Sequence, residues 1–264
     1  MKLPISKRLL RCAELVPPCR TAADLGTDHG YLAIHLLQAG RCAHVIAADL
    51  REKPLASARA NAAAFGICEA APQAFPLRGS CPSAHTGADE VVPNPGAAAS
   101  GTISFRLSDG LRNFKPGEFE VLILAGMGGD LIARILAEAP WLDGGDYRLV
   151  LQPQSAAHEL RRWLGERGWS IERELLVRDG GFLYSVMRVC PFGGRALRPG
   201  EQYCSPALRR EGDPLFPAYL ARMERALALT VEGISRSAAP EDLARGEYYR
   251  AALAEILSME RRKQ

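Results

Sequence analysis

The chain has 264 residues, enough for one large domain or a medium one with an appendage. Hydrophobic residues make up 47% and charged residues 24%, which excludes a wholly disordered or collagen-like chain. Lys and Arg total 33 against 30 Asp and Glu, and so small an excess, read naively, argues against a nucleic-acid partner.

No run approaches the ~18 to 20 apolar residues that cross a bilayer. The opening MKLPISKRLLRCAELV is interrupted by Lys7, Arg8 and Arg11 and lacks a cleavage site, so it is no secretory signal. The 7 cysteines are scattered, with no CxxC pair, which points to reduced thiols in a cytoplasm and to no metal site. Cys42 and Cys190 sit in apolar runs as small hydrophobes.

Ser6 can cap a short helix in which Leu9, Cys12 or Ala13, and Val16 recur at helical spacing, ended by Pro17-Pro18. TAADLG then reads as a strand, and Tyr31 to Ala39 as a helix closed by Gly40. HVIAADL is a second strand, followed by a helix from Lys53 to Phe65 with Gly66 as its stop. Residues 68–101 hold five prolines and few apolar anchors and read as a surface insertion; within it Cys68 and Cys81 are expected to be unpaired. TISFRLSD is the third strand. FEVLILAG is the fourth, continuously apolar as a strand covered on both faces is. A helix over Leu131 to Ala139, a fifth strand RLVLQP and a Ser155-capped helix to Arg167 come next. WSIERELLVR and FLYSVMRV close the run as a hairpin about an Asp-Gly-Gly turn at 179–181. The alternation implies a doubly wound, mostly parallel, seven-stranded α/β sheet with a Rossmann-like order, occupying residues 1–190.

Residues 191–264 differ. PFGGRALRPG reads as a linker. Phe216, Leu220, Met223, Leu227, Thr230 and Ile234 then alternate steps of four and three, a heptad-like stripe. Pro240, Glu241 and Asp242 open a second helix in which Tyr249, Leu253 and Ile256 keep that spacing. Together they predict an antiparallel α-helical hairpin whose stripe packs one helix on the other.

Candidate chemistry sits at the strand ends. The first strand runs into Asp24-Leu25-Gly26-Thr27-Asp28-His29-Gly30, whose glycines permit a tight turn into the helix. A dinucleotide fingerprint needs bare backbone amides where Asp28 stands, and a carboxylate there repels phosphate. An acidic loop suits instead a cationic ligand without phosphate, and S-adenosylmethionine fits. Asp49 ends the second strand, where a carboxylate can accept both ribose hydroxyls. Ser108-Asp109-Gly110 ends the third, where the acid can take an adenine amino proton and the glycine admits the ring. Each acid alone can equally be a cap or turn former. Gly126, with Met127, Gly128 and Gly129, makes a floor that backbone or ligand can approach closely. Gln152 and Gln154 end the fifth strand and offer amides to the edge of a base, or are simply polar strand-end residues.

ADLGTDHGYLAIHLLQAG, ILAGMGGDLI, LVLQPQ and DGGFLYSV, followed by DPLFPAYL and the helical hairpin, resemble the bacterial tRNA (adenine-22-N1)-methyltransferase family. The resemblance covers nearly the whole chain outside 68–101. It implies a class I methyltransferase domain, S-adenosylmethionine as donor, tRNA as substrate and a coiled-coil-like carboxy-terminal hairpin. It implies donor-site roles for Asp24, Gly26, Asp28, His29, Asp49, Asp109, Gly110, Gly126 and Met127. The fifth-strand motif departs from the family's usual Gln-Pro-Asn in reading Gln152-Pro153-Gln154, one methylene longer, and the insertion is a second departure.

N1 of adenine carries an in-plane lone pair, so alignment does most of the work and no base need deprotonate it. A carboxylate near the cationic product would stabilise developing charge; Asp28 is the first candidate and His29 the second. Tyr31 or Tyr184 could stack on a flipped base, or be core aromatics. His35, His44, His85 and His158 lack partner spacing and receive no role. Lys7, Arg8, Arg11, Arg161 and Arg162 are the candidate RNA contacts, with the hairpin as a clamp or as a dimer interface, a monomer being expected. The small net charge thus averages an acidic donor site against basic stretches. A small-molecule or protein substrate, or a non-catalytic binding module, remain the competing readings.

Overall fold

A computed structural model describes residues 2–70, 101–236 and 240–261. Its eight strands form one sheet in the order β3-β4-β2-β1-β5-β6-β8-β7: β1 Cys19–Leu25, β2 Cys42–Asp49, β3 Cys68–Glu69, β4 Thr102–Leu107, β5 Val121–Gly128, β6 Arg148–Ser155, β7 Trp169–Asp179 and β8 Phe182–Gly193. The chain divides into two compact units, 1–125 with 135–150, and 126–134 with 151–264.

In the first unit, α1 (Lys7–Leu15) starts at Ser6, whose hydroxyl accepts the Leu9 N–H at 3.3 Å, and it buries Cys12, Ala13 and Leu15. Strand β1 pairs in parallel with β2 on one side and β5 on the other, and β2 pairs in parallel with β4. Successive strands therefore leave β1 in opposite directions, which makes its carboxyl end the switch point where doubly wound sheets bind ligands. Val121, Leu122, Ile123 and Leu124 of β5 are all buried, as a strand covered on both faces requires. Between β1 and β2 lies α2 (Tyr31–Gln38), and after β2 comes α3 (Glu52–Ala64); Gly40 and Gly66 take positive φ just beyond them.

The sequence count of seven strands falls one short. Cys68–Glu69, placed at the start of the insertion, pairs in parallel with Thr102–Ile103 and adds an edge strand. Two residues are too few for a periodic pattern to reveal. Residues 71–100, with Cys81 and His85, lie outside the described residues.

In the second unit, β7 and β8 are antiparallel, with Asp179 opposite Phe182. Gly180 and Gly181 both take positive φ, as a two-residue hairpin turn demands. Helix α4 (Gly129–Ala137), whose residues 129–134 belong to this unit, follows β5, and α5 (Ala157–Glu166) follows β6. The expected Ser155 cap is absent, because Ser155 belongs to β6 and Ala156, at φ 51°, occupies the cap position without a side-chain bond. The stretch read as a linker is partly ordered structure: β8 runs to Gly193, and two short helices, α6 (Pro199–Tyr203) and α7 (Pro206–Arg210), follow. Helices α8 (Phe216–Ser235) and α9 (Pro240–Arg261) come last. The heptad-like stripe is the packing face: Phe216, Leu220 and Leu227 join Leu176, Leu183, Ala252 and Ile256 in one buried cluster, with Met223 and Leu253 against it. Among the described residues no helix is long and apolar enough to cross a membrane, and no group of three or more His, Cys, Asp or Glu could hold a metal ion.

Candidate functional site

The carboxyl ends of β1 and β2 are stitched together by backbone. Gly26 and Thr27 N–H groups both donate to the Ala48 carbonyl, at 2.8 and 3.0 Å. That brings three of the predicted acids to one place. Asp24 is buried, and its carboxylate accepts the Thr27 hydroxyl at 2.8 Å. Burial pushes its pKa up to about 6; Thr27 opposes the rise and the Asp49 charge adds to it. Asp49 accepts the backbone N–H of Arg51 at 3.0 Å and that of Asp28 at 3.4 Å, which fixes its carboxylate. Asp28 itself has φ 51°, strained for a residue with a side chain, and its carboxylate is 67% exposed. His29 Nε2 lies 3.7 Å from it, and the imidazole stacks on Tyr31 with ring centroids 5.6 Å apart. Tyr31 thus has a ring partner already.

Strand β4 delivers the fourth acid. Ser108 N–H donates to the Asp49 carbonyl at 2.9 Å, so Asp109 follows directly beyond the β2 end. Asp109 is exposed and ion-paired to Arg112 at 2.6 Å, and Glu138 holds the same guanidinium from the other side at 3.0 Å. Gly110 has φ 56°, and a Cβ there would lie 3.2 Å from the Ile135 side chain, so the conformation favours glycine and the space is tight.

The second unit holds the glycine floor and the glutamines. Gly126 (φ 82°) donates its N–H to Gln152 Oε1 at 3.1 Å, and Gln152 Nε2 donates to the Pro153 carbonyl at 2.8 Å. Gln152 is wholly buried. The expectation that it meets a base edge is therefore overturned: its amide is committed to the floor and braces Gly126. Gln154, by contrast, is exposed and lines a cavity of about 330 Å³. A Cβ at Gly129 would come within 2.5 Å of the Ala156 carbonyl oxygen, so the floor and the β6–α5 turn are packed backbone to backbone. Among the described residues Asp28 and Ala156 are the two non-glycine positions with positive φ, one in each candidate region.

Arg161 is also placed differently from the expectation of an RNA contact. The sequence places it among surface cations; it is fully buried and pairs with Glu174 at 2.6 Å. Its guanidinium also donates to Ser185 Oγ, Tyr219 Oη and the Gln202 carbonyl, tying α5 to β8, α8 and α6. Burial opposes its charge, but Glu174 and Tyr219 hold its pKa above the ordinary value. It cannot meet RNA. Helical spacing decides this: Leu160, Arg161 and Leu164 share the inward face of α5 while Arg162 points out. Arg162 pairs with Glu159 at 2.5 Å, Arg11 with Glu14 at 2.6 Å, Lys7 is exposed, and Arg8 is half-buried.

A family model described as tRNA (adenine(22)-N(1))-methyltransferase matches residues 89–254. The chain belongs to that family. A general methyltransferase-domain model also matches, over residues 5–73. The tRNA (adenine(22)-N(1))-methyltransferase of Bacillus subtilis is 28% identical over 221 residues, covering 81% of this chain and 79% of that protein. A Mycoplasma pneumoniae relative is 32% identical over 187 residues, 70% of this chain and 71% of its own. Streptococcus pneumoniae Sp1610, solved in complex with S-adenosyl-L-methionine, is 26% identical with a TM-score of 0.68, covering 94% of this chain and 99% of that one. The crystal structure of the B. subtilis enzyme has a TM-score of 0.73 at 24% identity over 98% of this chain, which shows the shared Rossmann-like fold.

Sequence reasoning missed parts of this methyltransferase. His158 received no role, yet its ring stacks on Tyr203 with centroids 4.7 Å apart and lines the 330 Å³ cavity. Burial holds His158 below its usual pKa, against the pull of Glu159. Arg222, Met223 and Thr230 of α8 line the same cavity. Nothing in their one-dimensional spacing distinguishes them from an ordinary helix surface. His44, also set aside, lies within hydrogen-bond distance of Thr102 and Ser104 hydroxyls in the first unit.

Proposed function

We propose that this chain transfers a methyl group from S-adenosylmethionine to N1 of adenine 22 in tRNA, with the acid-lined loop at the ends of β1, β2 and β4 as its donor site. The observation that carries the reading is the convergence of Asp24, which accepts the Thr27 hydroxyl, with Asp28 and Asp49, linked by the Asp28 N–H, on a chain of this family. Three carboxylates, two of them buried, fit a cationic ligand and exclude a pyrophosphate. When bound, the donor supplies an electrophilic methyl group on a sulfonium.

The chain's own residues bind and orient. Asp49, fixed by two N–H groups, accepts ribose hydroxyls. Asp109, steadied by Arg112, faces the adenine amino group of the donor, and Gly26 and Gly110 admit the ligand closely. Gly126 and Met127 supply the floor. Adenine N1 needs no deprotonation before attack, so the exposed Asp28 acts on charge, offsetting the cation that forms on the base, with His29 beside it. Lys7, Arg8, Arg11 and Arg162 contact tRNA phosphates, and the helices of residues 191–264, paired in coiled-coil fashion and packed on Leu176 and Leu183, engage the RNA. The protein acts as a cytoplasmic monomer.

The test is mass spectrometry of nucleosides from unmodified tRNA incubated with the protein and labelled donor. N1-methyladenosine mapping to position 22 is expected. Donor turnover with label in another nucleoside, a protein or a small molecule would refute the assignment.

A further inference from the structure

We propose that the 330 Å³ cavity of the second unit receives the target adenine, and that Gln154 reads its N6 and N7 edge. This rests on the tRNA adenine-N1 reading above and assigns its substrate pocket. The cavity is in the size range of small-molecule sites, about 300–1,000 Å³. Its walls are the Pro153–His158 turn, Tyr184 on β8, and Met223, Ala226 and Thr230 on α8. The lining mixes aromatic, apolar and polar side chains; no carboxylate is among it, and its cationic members are Arg161, paired with Glu174, and Arg222. Burial lowers the pKa of His158, and both guanidiniums are engaged, Arg161 by Glu174 and Arg222 by the Leu183 carbonyl, so the lining suits an uncharged ring. The half-buried Tyr184 offers a face for stacking.

Chemistry then selects the edge. N1 is the nucleophile, so its lone pair must point at the methyl carbon and cannot be spent on a hydrogen bond. That removes the Watson–Crick edge as the recognition surface. The remaining adjacent pair is the N6 amino donor and the N7 acceptor, which an amide side chain matches with one acceptor and one donor. Of the two glutamines in the motif, Gln152 is buried and spent on Gly126 and Pro153. Gln154 is exposed at the cavity, and its amide makes no hydrogen bond among the described residues. Guanine presents O6 and N7, two acceptors, to the same amide and leaves its oxygen unpaired, so the arrangement also discriminates between purines. The Arg161 network holds α5, β8 and α8 together, so the walls are set before the base arrives.

The experiment uses tRNA assembled with 7-deazaadenine at the target position, which deletes the N7 acceptor and keeps N1 and N6. Substitution at N7 alters the intrinsic reactivity of N1, but equally for every enzyme variant, so a cycle with Gln154→Ala isolates the contact. The wild type is expected to lose about tenfold in kcat/KM on the 7-deaza substrate beyond whatever Gln154→Ala loses on it. Equal responses of the two enzymes overturn the edge assignment while leaving the function standing. Absence of N1-methyladenosine with the wild type and ordinary tRNA overturns both. Ala226→Trp, at an exposed α8 position, tests the cavity itself: methylation should fall at least tenfold with donor affinity unchanged. Undiminished methylation by that variant would remove the base from this cavity.

Discussion

Asp24→Asn should abolish a pH dependence of donor binding that the wild type shows between pH 5 and 7. Burial sets the carboxyl at about 6 in the donor-free protein, with Asp49 adding to the rise. A bound cation favours the ionised form and, taken to restore the ordinary carboxyl value of 3.8, expels the proton. At pH 5 about nine molecules in ten must then lose a proton on binding, and at pH 7 about one in ten. The dissociation constant should therefore fall about tenfold from pH 5 to pH 7. Calorimetric titration with S-adenosylmethionine in two buffers of different ionisation enthalpy reads both the affinity and the proton released. The same shift works against the donor-free fold. A carboxyl raised above its unfolded value contributes stability that is full below about pH 3.8 and lost as pH rises through about 6. Two units correspond to about 3 kcal/mol, an upper bound on what Asp24→Asn could add to stability at pH 7. Wild-type affinity that stays flat from pH 5 to 7, or an Asn variant that keeps the full tenfold slope, would refute this account of Asp24.

Asp49→Ala removes the carboxylate that accepts the Arg51 and Asp28 N–H groups, and donor affinity should drop at least tenfold by calorimetry, with the fold retained by circular dichroism. Arg161→Met leaves Glu174 buried without its cation, and chemical denaturation should show a loss of about 3–5 kcal/mol. Replacing both partners, Arg161→Met with Glu174→Leu, should recover part of that loss, because no lone charge remains buried. Gly129→Ala would force a methyl to within 2.5 Å of the Ala156 carbonyl, and purified protein should melt several degrees lower with methyl transfer reduced more than donor binding.

The acidic loop after β1 was legible because its chemistry is local. Asp24 through Gly30 is one unbroken stretch, and the alternation of strands and helices places it at the switch point of the sheet. The extra edge strand at Cys68–Glu69 was not, since two residues carry no period. Arg161 and Gln152 were misplaced for a shared reason. Both are polar residues that sequence assigns to surfaces, and both are buried by partners far along the chain or across the sheet. Arg161 meets Glu174, Ser185, Gln202 and Tyr219, while Gln152 meets Gly126. His158 shows the converse, a residue with no partner by spacing that stacks on Tyr203 forty-five positions on.

The alternating α/β pattern, the acidic loop after β1, the acids that end β2 and β4, and the heptad-like stripe of α8 can all be read from the chain in one dimension. Each depends on a period or a contiguous run, and so survives in one dimension. Which of two glutamines is spent and which is open, which arginine of an adjacent pair is core, and that α8 lends a wall to a cavity beside Gln154 emerge from packing in three dimensions. Those outcomes turn on whether a polar group's partner is water or another side chain, and that is fixed when distant segments close around it.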